Sequence, residues 1–297
     1  MLKVRAHLLK KARDWFDSNN YVEVQPPILV PALDEAPNAL IVNNLDKSMF
    51  LAKGFLPYGR AFADGLERVY TIMPAFRIEQ PSSRHLVEYW RLEVVECCDL
   101  KEIMSIQEQL VAYLCHYLLE VEETLECFNR SGKDLARMQA PFSRLTYDKA
   151  VESLQSDGYK ICWGQEINWE LERHLSLKFD KPFFIWKYPL SSETFFSKTD
   201  PEQPALALYA DLIAPEGYGE LASSLQMITK KEVMLQRLRQ AGVNSAGQNW
   251  FMELTQSRSG SCSGFAIGVE RMLQWICKLP DIRETIAFPR SASNCFP

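Results

Sequence analysis

Apolar residues recur at helical spacing at the start of the chain. Val4, Leu8, Leu9, Ala12, Trp15 and Phe16 are separated by polar and basic positions, which predicts a helix over Leu2–Ser18. The segment Asn20–Pro31 is strand-like and is stopped at Pro26-Pro27, where proline removes the ladder donor. An irregular stretch is expected from Pro31 to about Lys47, then short strands at Met49–Ala52 and Val69–Met73 around a helix at Pro57–Leu66. A hairpin spans Phe76–Trp90, and Leu100–Glu123 reads as one long amphipathic helix with Ile103, Ile106, Leu110 and Leu114 on one face. Residues 127–180 are mixed and polar, with a helix at Asp148–Ser156. Apolar strands follow at Pro182–Pro189 and Leu206–Ile213. Thr229-Lys230-Lys231-Glu232 has the form of a capping box, and Gly242 that of a helix stop. Finally, an apolar strand of small residues, Ser263–Gly268, opens into a helix at Glu270-Arg271. Strands in runs flanked by helices, rather than regular βαβ alternation, predict an α+β fold.

Composition narrows the picture. At 297 residues with 47% hydrophobic content, the chain can bury a large core, as one large domain or two small ones. No apolar run reaches the ~20 residues of a membrane span. The net charge of −5 supplies no bulk attraction to nucleic-acid backbones. The eight cysteines show no CxxC pairs and do not cluster with the four histidines. Free thiols in a reducing cytoplasm are therefore expected, not a zinc site.

The candidate chemistry lies in two segments. In the hairpin, Arg77 and Arg84 offer planar forks suited to phosphate, beside His85. Glu79 can accept from an amino group such as that of adenine, and Tyr89 can stack on a base. A solvated hairpin of alternating charges would read the same way in isolation. In the second segment, Gly268 allows a ligand close to the backbone and Arg271 sits in the first helical turn facing it.

Together these segments resemble motifs 2 and 3 of the class II aminoacyl-tRNA synthetases, and Asn20–Pro31 after its helix resembles their dimer-forming motif 1. Within the class the aspartyl/asparaginyl branch is most similar, including the ending Ile282–Asn294. The resemblance implies a single catalytic domain over residues 1–297, an antiparallel sheet flanked by helices, a homodimer, and ATP with Mg2+ as cofactors. It implies that Arg77 grips the α-phosphate and substrate carboxylate, that Arg84 and His85 lie over the distal phosphates, and that Arg271 closes the other face. Asp211 and Glu220 resemble the family's magnesium acids.

The chain departs from the pattern on the amino-acid side. Where the family carries a Ser-Pro-Gln-Leu-Tyr-Lys-like segment, this sequence has Lys53–Tyr58, so Phe55 and Tyr58 are expected in the substrate pocket. After Glu220 the family's glycines and arginine are replaced by Leu221–Met227, which places Ser223 and Ser224 there as well. The segment resembling the motif 1 helix lies at the start of the sequence, so no anticodon-binding barrel is expected, and the Gly217–Glu220 turn and Ala266–Arg271 stretch look closer to stand-alone synthetase-like asparagine synthetases than to tRNA-charging enzymes. The expectation is an ATP-dependent ligase that adenylates the carboxylate or amide of an amino-acid-like, peptide or metabolite substrate. Transfer would go to ammonia or an amine, or an amide would be dehydrated toward a nitrile, with tRNA an unlikely partner. The alternatives are a truncated synthetase that charges tRNA and a non-catalytic ATP-binding regulator.

Overall fold

The computed structural model describes residues 1–31, 38–43, 49–80, 82–190, 196–240, 253 and 260–292. Helix α1 (Leu2–Ser18) buries Val4, Leu8, Ala12, Trp15 and Phe16, the stripe that the sequence pattern sets out. Strand β1 (Val22–Glu23) follows, then β2 (Leu29–Val30), β3 (Ile41–Val42) and β4 (Met49–Leu51), which form a small sheet of order β2-β4-β3. β3 is thus a strand inside the stretch expected to be irregular. Beyond α2 (Leu56–Leu66), strands β5 (Arg68–Phe76) and β6 (Glu88–Glu96) pair along their whole length, from Arg68 opposite Glu96 to Phe76 opposite Glu88.

Helix α3 (Leu100–Tyr117) opens on a capping box, with Asp99 accepting the Glu102 N–H and Glu102 accepting the Asp99 N–H. It ends short of the expected Glu123. The chain tightens into a 3-10 turn at Leu118–Val121 before α4 (Glu122–Glu126), and Glu122 accepts the Gly132 N–H at 3.0 Å as α5 (Gly132–Ala136) begins. The polar middle contains β7 (Ser143–Thr146), α6 (Tyr147–Ser156) and an additional helix, α7 (Trp169–Ser176), capped by Asn168 accepting the Leu171 N–H. The remaining elements are β8 (Phe183–Trp186), β9 (Tyr209–Ala214), β10 (Gly219–Gln226), α8 (Lys231–Gln240), β11 (Ser263–Gly268) and α9 (Val269–Ile276). Gly242, expected to stop α8, lies outside the described residues.

Among the described residues the main sheet has eight strands in the order β1-β5-β6-β11-β10-β9-β8-β7. Every pairing from β5 to β8 is antiparallel, whereas β1–β5 and β7–β8 are parallel. The α+β expectation therefore holds, with a sheet that is mixed at both edges. Each parallel edge is reached by a long crossover, as parallel pairing demands.

Strand alternation decides which side is core. Leu92 and Val94 of β6, Phe265 and Ile267 of β11, and Leu212 and Ala214 of β9 join residues of α1, α3 and α9 in one apolar cluster. The opposite face carries Arg91, Glu93, Ala266 and Ser223. Gly264 allows β11 to lie this close to β6, because a Cβ there would stand 2.7 Å from the Val94 carbonyl oxygen. The seven described cysteines are all free thiols, as expected.

Candidate active site

The polar face of the sheet forms the floor of a cavity of ≈ 600 Å3, closed on its sides by the α2 segment and the β5–β6 loop. In strand register Glu93 lies beside Ala266, Ala266 beside Ser223, and Ser223 beside Asp211. Two small side chains therefore separate two acids across three adjacent pairings. A bulge between Glu220 and Ala222 breaks the β9–β10 register, and Glu220 and Leu221 both line the cavity there.

Arg77, Glu79, Arg84, His85 and Tyr89 arrive from the β5–β6 hairpin, and Gly268 and Arg271 from the β11–α9 junction, so the two sequence segments meet at one wall. Arg77 is held by the Val87 carbonyl through its backbone N–H at 3.0 Å, and its side chain pairs with Glu79. Arg271 Nη1 donates to Glu220 Oε2 at 2.7 Å, and its Nη2 donates to His85 Nε2 at 3.2 Å. His85 Nε2 is thereby an acceptor, which leaves the proton on Nδ1, 2.7 Å from Ser82 Oγ.

Arg84 is the most enclosed of the cavity arginines. Its guanidinium carbon sits 3.8 Å from the Trp169 ring centroid, Nη1 reaches Glu172 Oε2 at 3.4 Å, and Nη2 donates to the Glu220 carbonyl at 3.1 Å. Burial, reinforced by the charge of Arg271, pushes its pKa down to about 10, which still leaves it charged at neutral pH. Burial and Arg271 likewise push His85 down to about 4. Burial works against ionisation of both Arg271 and Glu220, but each stabilises the other's charge, so Arg271 is raised and Glu220 is lowered.

Asp211 is pushed well above the usual carboxylate range by burial and by Glu220 and Glu172, against hydrogen bonds from Tyr188 and Tyr209. Its Oδ1 is buried without a hydrogen bond. Glu172 is also raised, first by burial and then by Glu220. Among the described residues no three His, Cys, Asp or Glu side chains are grouped to hold a metal by themselves.

Most of the expected residues therefore share this cavity: Arg77, Glu79, Arg84, His85, Tyr89, Gly268, Arg271, Glu220, Tyr58 and Ser223. Asp211 lies one strand beyond its wall. Phe55 and Ser224 do not fit the substrate-pocket expectation. The Phe55 ring is wholly buried in an apolar cluster with Ala63 and Val95, and Ser224, on the helix side of β10, donates to Gln107 Oε1 at 2.6 Å. Strand alternation explains the second, since Ser223 and Ser224 must face opposite ways. Four residues at or behind the wall were not singled out from the sequence: Trp169, Glu172, Arg91 and Glu93. The Asn168 cap with acids in the first turn marks α7, and the period-two series Tyr89, Arg91, Glu93 places the other pair on the cavity face.

Arginines that converge from a hairpin and a strand–helix junction onto an antiparallel floor define an ATP-dependent ligase site of the class II synthetase type. The description "tRNA synthetases class II (D, K and N)" matches residues 1–292, and the chain belongs to that family. It is 36% identical over 301 residues to the asparagine–tRNA ligase of Thermococcus gammatolerans, covering all of this chain and 70% of that protein. The asparagine–tRNA ligase of Desulforamulus reducens is 35% identical with the same coverage. The crystal structure of asparaginyl-tRNA synthetase from Pyrococcus horikoshii complexed with asparaginyl-adenylate superimposes with a TM-score of 0.97 at 35% identity, over 100% of this chain and 69% of that one.

These relatives correct the functional expectation. Full-length similarity to tRNA ligases overturns the reading in which the acyl group goes to ammonia or an amine, or an amide becomes a nitrile. It also overturns tRNA as an unlikely partner, and it gives the asparagine-synthetase-like assignment no support. The departures from the family pattern at Lys53–Tyr58 and Leu221–Met227 do not bear on the acceptor. No helix among the described residues is long and apolar enough to cross a membrane.

Proposed function

We propose that this chain activates an amino acid with ATP and passes the aminoacyl group to tRNA, the reaction named in its asparagine–tRNA ligase relatives. The observation that carries this reading is the convergence of Arg77 and Arg271, far apart in sequence, on one cavity of ≈ 600 Å3.

The amino-acid carboxylate attacks the α-phosphorus in line, forming the acyl–phosphate bond as the bond to pyrophosphate breaks. A tRNA hydroxyl then attacks the acyl carbon and releases AMP. Neither step needs a side-chain nucleophile; positioning and charge neutralisation suffice. Arg77 neutralises charge at the α-phosphate, while Glu79 accepts from the adenine amino group and Tyr89 stacks on the ring. Arg84 and His85 cover the distal phosphates, and neutral His85 adds no charge of its own. Arg271, held by Glu220, faces the phosphates from the opposite wall.

Members of this class use ATP and Mg2+. The buried, unbonded Oδ1 of Asp211 and the cavity-lining Glu220 suit a magnesium ion that takes one or two carboxylates and completes its shell with phosphate oxygens. That ion would offset the charge of the triphosphate. The test is ATP–pyrophosphate exchange with asparagine, followed by aminoacylation of tRNA. Exchange with no amino acid, or acyl transfer to ammonia in preference to tRNA, would refute the reading.

A further inference from the structure

Arg130, between α4 and α5, does not line the cavity, and its side chain is wholly buried. A guanidinium taken out of water needs acceptors for its donors, and here each of the three nitrogens has one. Nε donates to the Ile276 carbonyl at 2.9 Å and Nη2 to the Trp275 carbonyl at 2.6 Å. These belong to the last turn of α9, where helix carbonyls lack partners and a cation meets the negative end of the helix dipole. Nη1 and Nη2 also grip the Glu216 carboxylate at 3.0 and 2.7 Å, a two-pronged pairing that needs the planar fork of arginine.

Glu216 lies in the β9–β10 turn. Its φ of 64° is in the left-handed region, which is costly for a residue with a side chain, and Gly217 and Gly219 follow at 85° and 68°. The Arg130 fork holds that conformation in place. Four residues on, Glu220 reaches the cavity, where its N–H donates to Glu172 at 3.0 Å and its carbonyl accepts from Arg84 at 3.1 Å. The main chain at Glu220 is therefore fixed independently of α9. That helix spans eight residues, so Arg271 in its first turn stands about 7.5 Å along the axis from Ile276. Its N-cap, Gly268, supplies no side-chain bond. The helix meets the β9–β10 arm at two points: Arg271 donates to Glu220 Oε2 at 2.7 Å at the cavity, and Arg130 bridges Ile276 to Glu216 behind it. Two points of attachment set the tilt of a rod, and release of the rear one lets Arg271 swing at the front.

We infer that Arg130 is a positioning residue for ATP: by locking the C-terminal end of α9 to the Glu216 turn, it aims Arg271 at the phosphates from outside the cavity. This rests on the reading above that Arg271 faces those phosphates. A clamp that only stabilised the fold would leave the affinity of each folded molecule for ATP untouched, whereas a clamp that aims Arg271 alters that affinity and does so only while Arg271 is present.

The experiment is calorimetric titration of the full chain with MgATP, well below the melting midpoint, for the unmodified protein, Arg130→Lys, Glu216→Gln, Arg271→Met and the double variant Arg130→Lys/Arg271→Met. Loss of the fork predicts a Kd for MgATP about tenfold higher in Arg130→Lys and about threefold higher in Glu216→Gln. Because Arg130 acts through Arg271, the double variant should bind as weakly as Arg271→Met alone, within about twofold. Glu216→Gln, at a partly exposed position, carries the test if Arg130→Lys does not fold. An unchanged Kd in the folded single variants, or effects of Arg130→Lys and Arg271→Met that multiply in the double variant, overturns the inference. Pyrophosphate exchange is read on the same proteins: its absence with every amino acid in the unmodified protein removes the adenylation reading, while the MgATP titration still decides the role of the clamp.

Discussion

Arg5 in α1 and Glu270 in α9 form an ion pair at 2.7 Å across 265 positions of sequence. The other carboxylate oxygen of Glu270 accepts the Trp90 backbone N–H at 2.8 Å, so one buried acid ties the first helix, the hairpin strand and the helix that carries Arg271. Burial raises the Glu270 pKa, opposed by Arg5 and by that N–H. Removing the arginine leaves a buried, half-satisfied carboxylate. Arg5→Ala should therefore lower stability by about 3 kcal/mol in urea unfolding, with Arg5→Lys losing less. A change within error in Arg5→Ala would show that the pair is not what joins these elements.

Arg77 is more exposed at the cavity wall than Arg271, which pairs with Glu220. Removal of one phosphate-facing donor typically costs 10²–10³-fold, so Arg77→Ala should reduce kcat/KM for pyrophosphate exchange by roughly that factor with little change in melting temperature. Full turnover in Arg77→Ala would refute its placement on the α-phosphate.

Trp169 does not line the cavity and meets it through Arg84. A cation–π contact is worth about 1 kcal/mol, so Trp169→Ala should raise KM for ATP about fivefold, while Trp169→Phe retains most of the affinity. Because Trp169 does not line the cavity, an effect on kcat alone would count against this positioning role.

The depressed pKa of His85 has a definite sign. A group whose folded pKa of about 4 lies below its unfolded value near 6.5 contributes stability that is present above pH 6.5 and lost as pH falls through 4. His85→Gln should therefore narrow the loss of unfolding midpoint between pH 7 and pH 4.5 relative to the unmodified protein. A His85 ring resonance that titrates near 6.5 in NMR would contradict the tautomer assigned from Arg271.

Val22, Ile28 and Leu29, in and beside β1 and β2, are 42%, 40% and 39% exposed. They belong to the segment that resembles the family's dimer-forming motif. Sedimentation at micromolar concentration should give a dimer, and a monomer would exclude that pairing.

The meeting of Arg77, Glu79, Arg84, His85 and Tyr89 with Arg271 at one cavity was legible once the two segments were taken together, since each alone was ambiguous. Ser263–Ile276 was equally readable, since small apolar residues that run directly into a helix leave one geometry. The amino-acid end was not readable in the same way. Phe55 and Ser224 were placed there by linear correspondence, but a ring beside a glycine turned into the core, and adjacent strand residues must face opposite sides. Helix α7 was missed because its apolar content is low, yet it carries Trp169 and Glu172 to Arg84. The acceptor was misjudged for a different reason: pocket departures bear on which acid is activated and carry no information about what receives it.

The register that sets Ala266 and Ser223 side by side between Glu93 and Asp211 amounts to a depth stop. Neither side chain makes a hydrogen bond among the described residues, and both project from strands whose ladder is indifferent to side-chain size. Substituting a bulkier residue at either position shortens the chamber by about a methyl or two and leaves Arg77, Arg84 and Arg271 where they are. Evolution can thus retune ligand length in this protein at two positions without rebuilding the machinery that burns ATP.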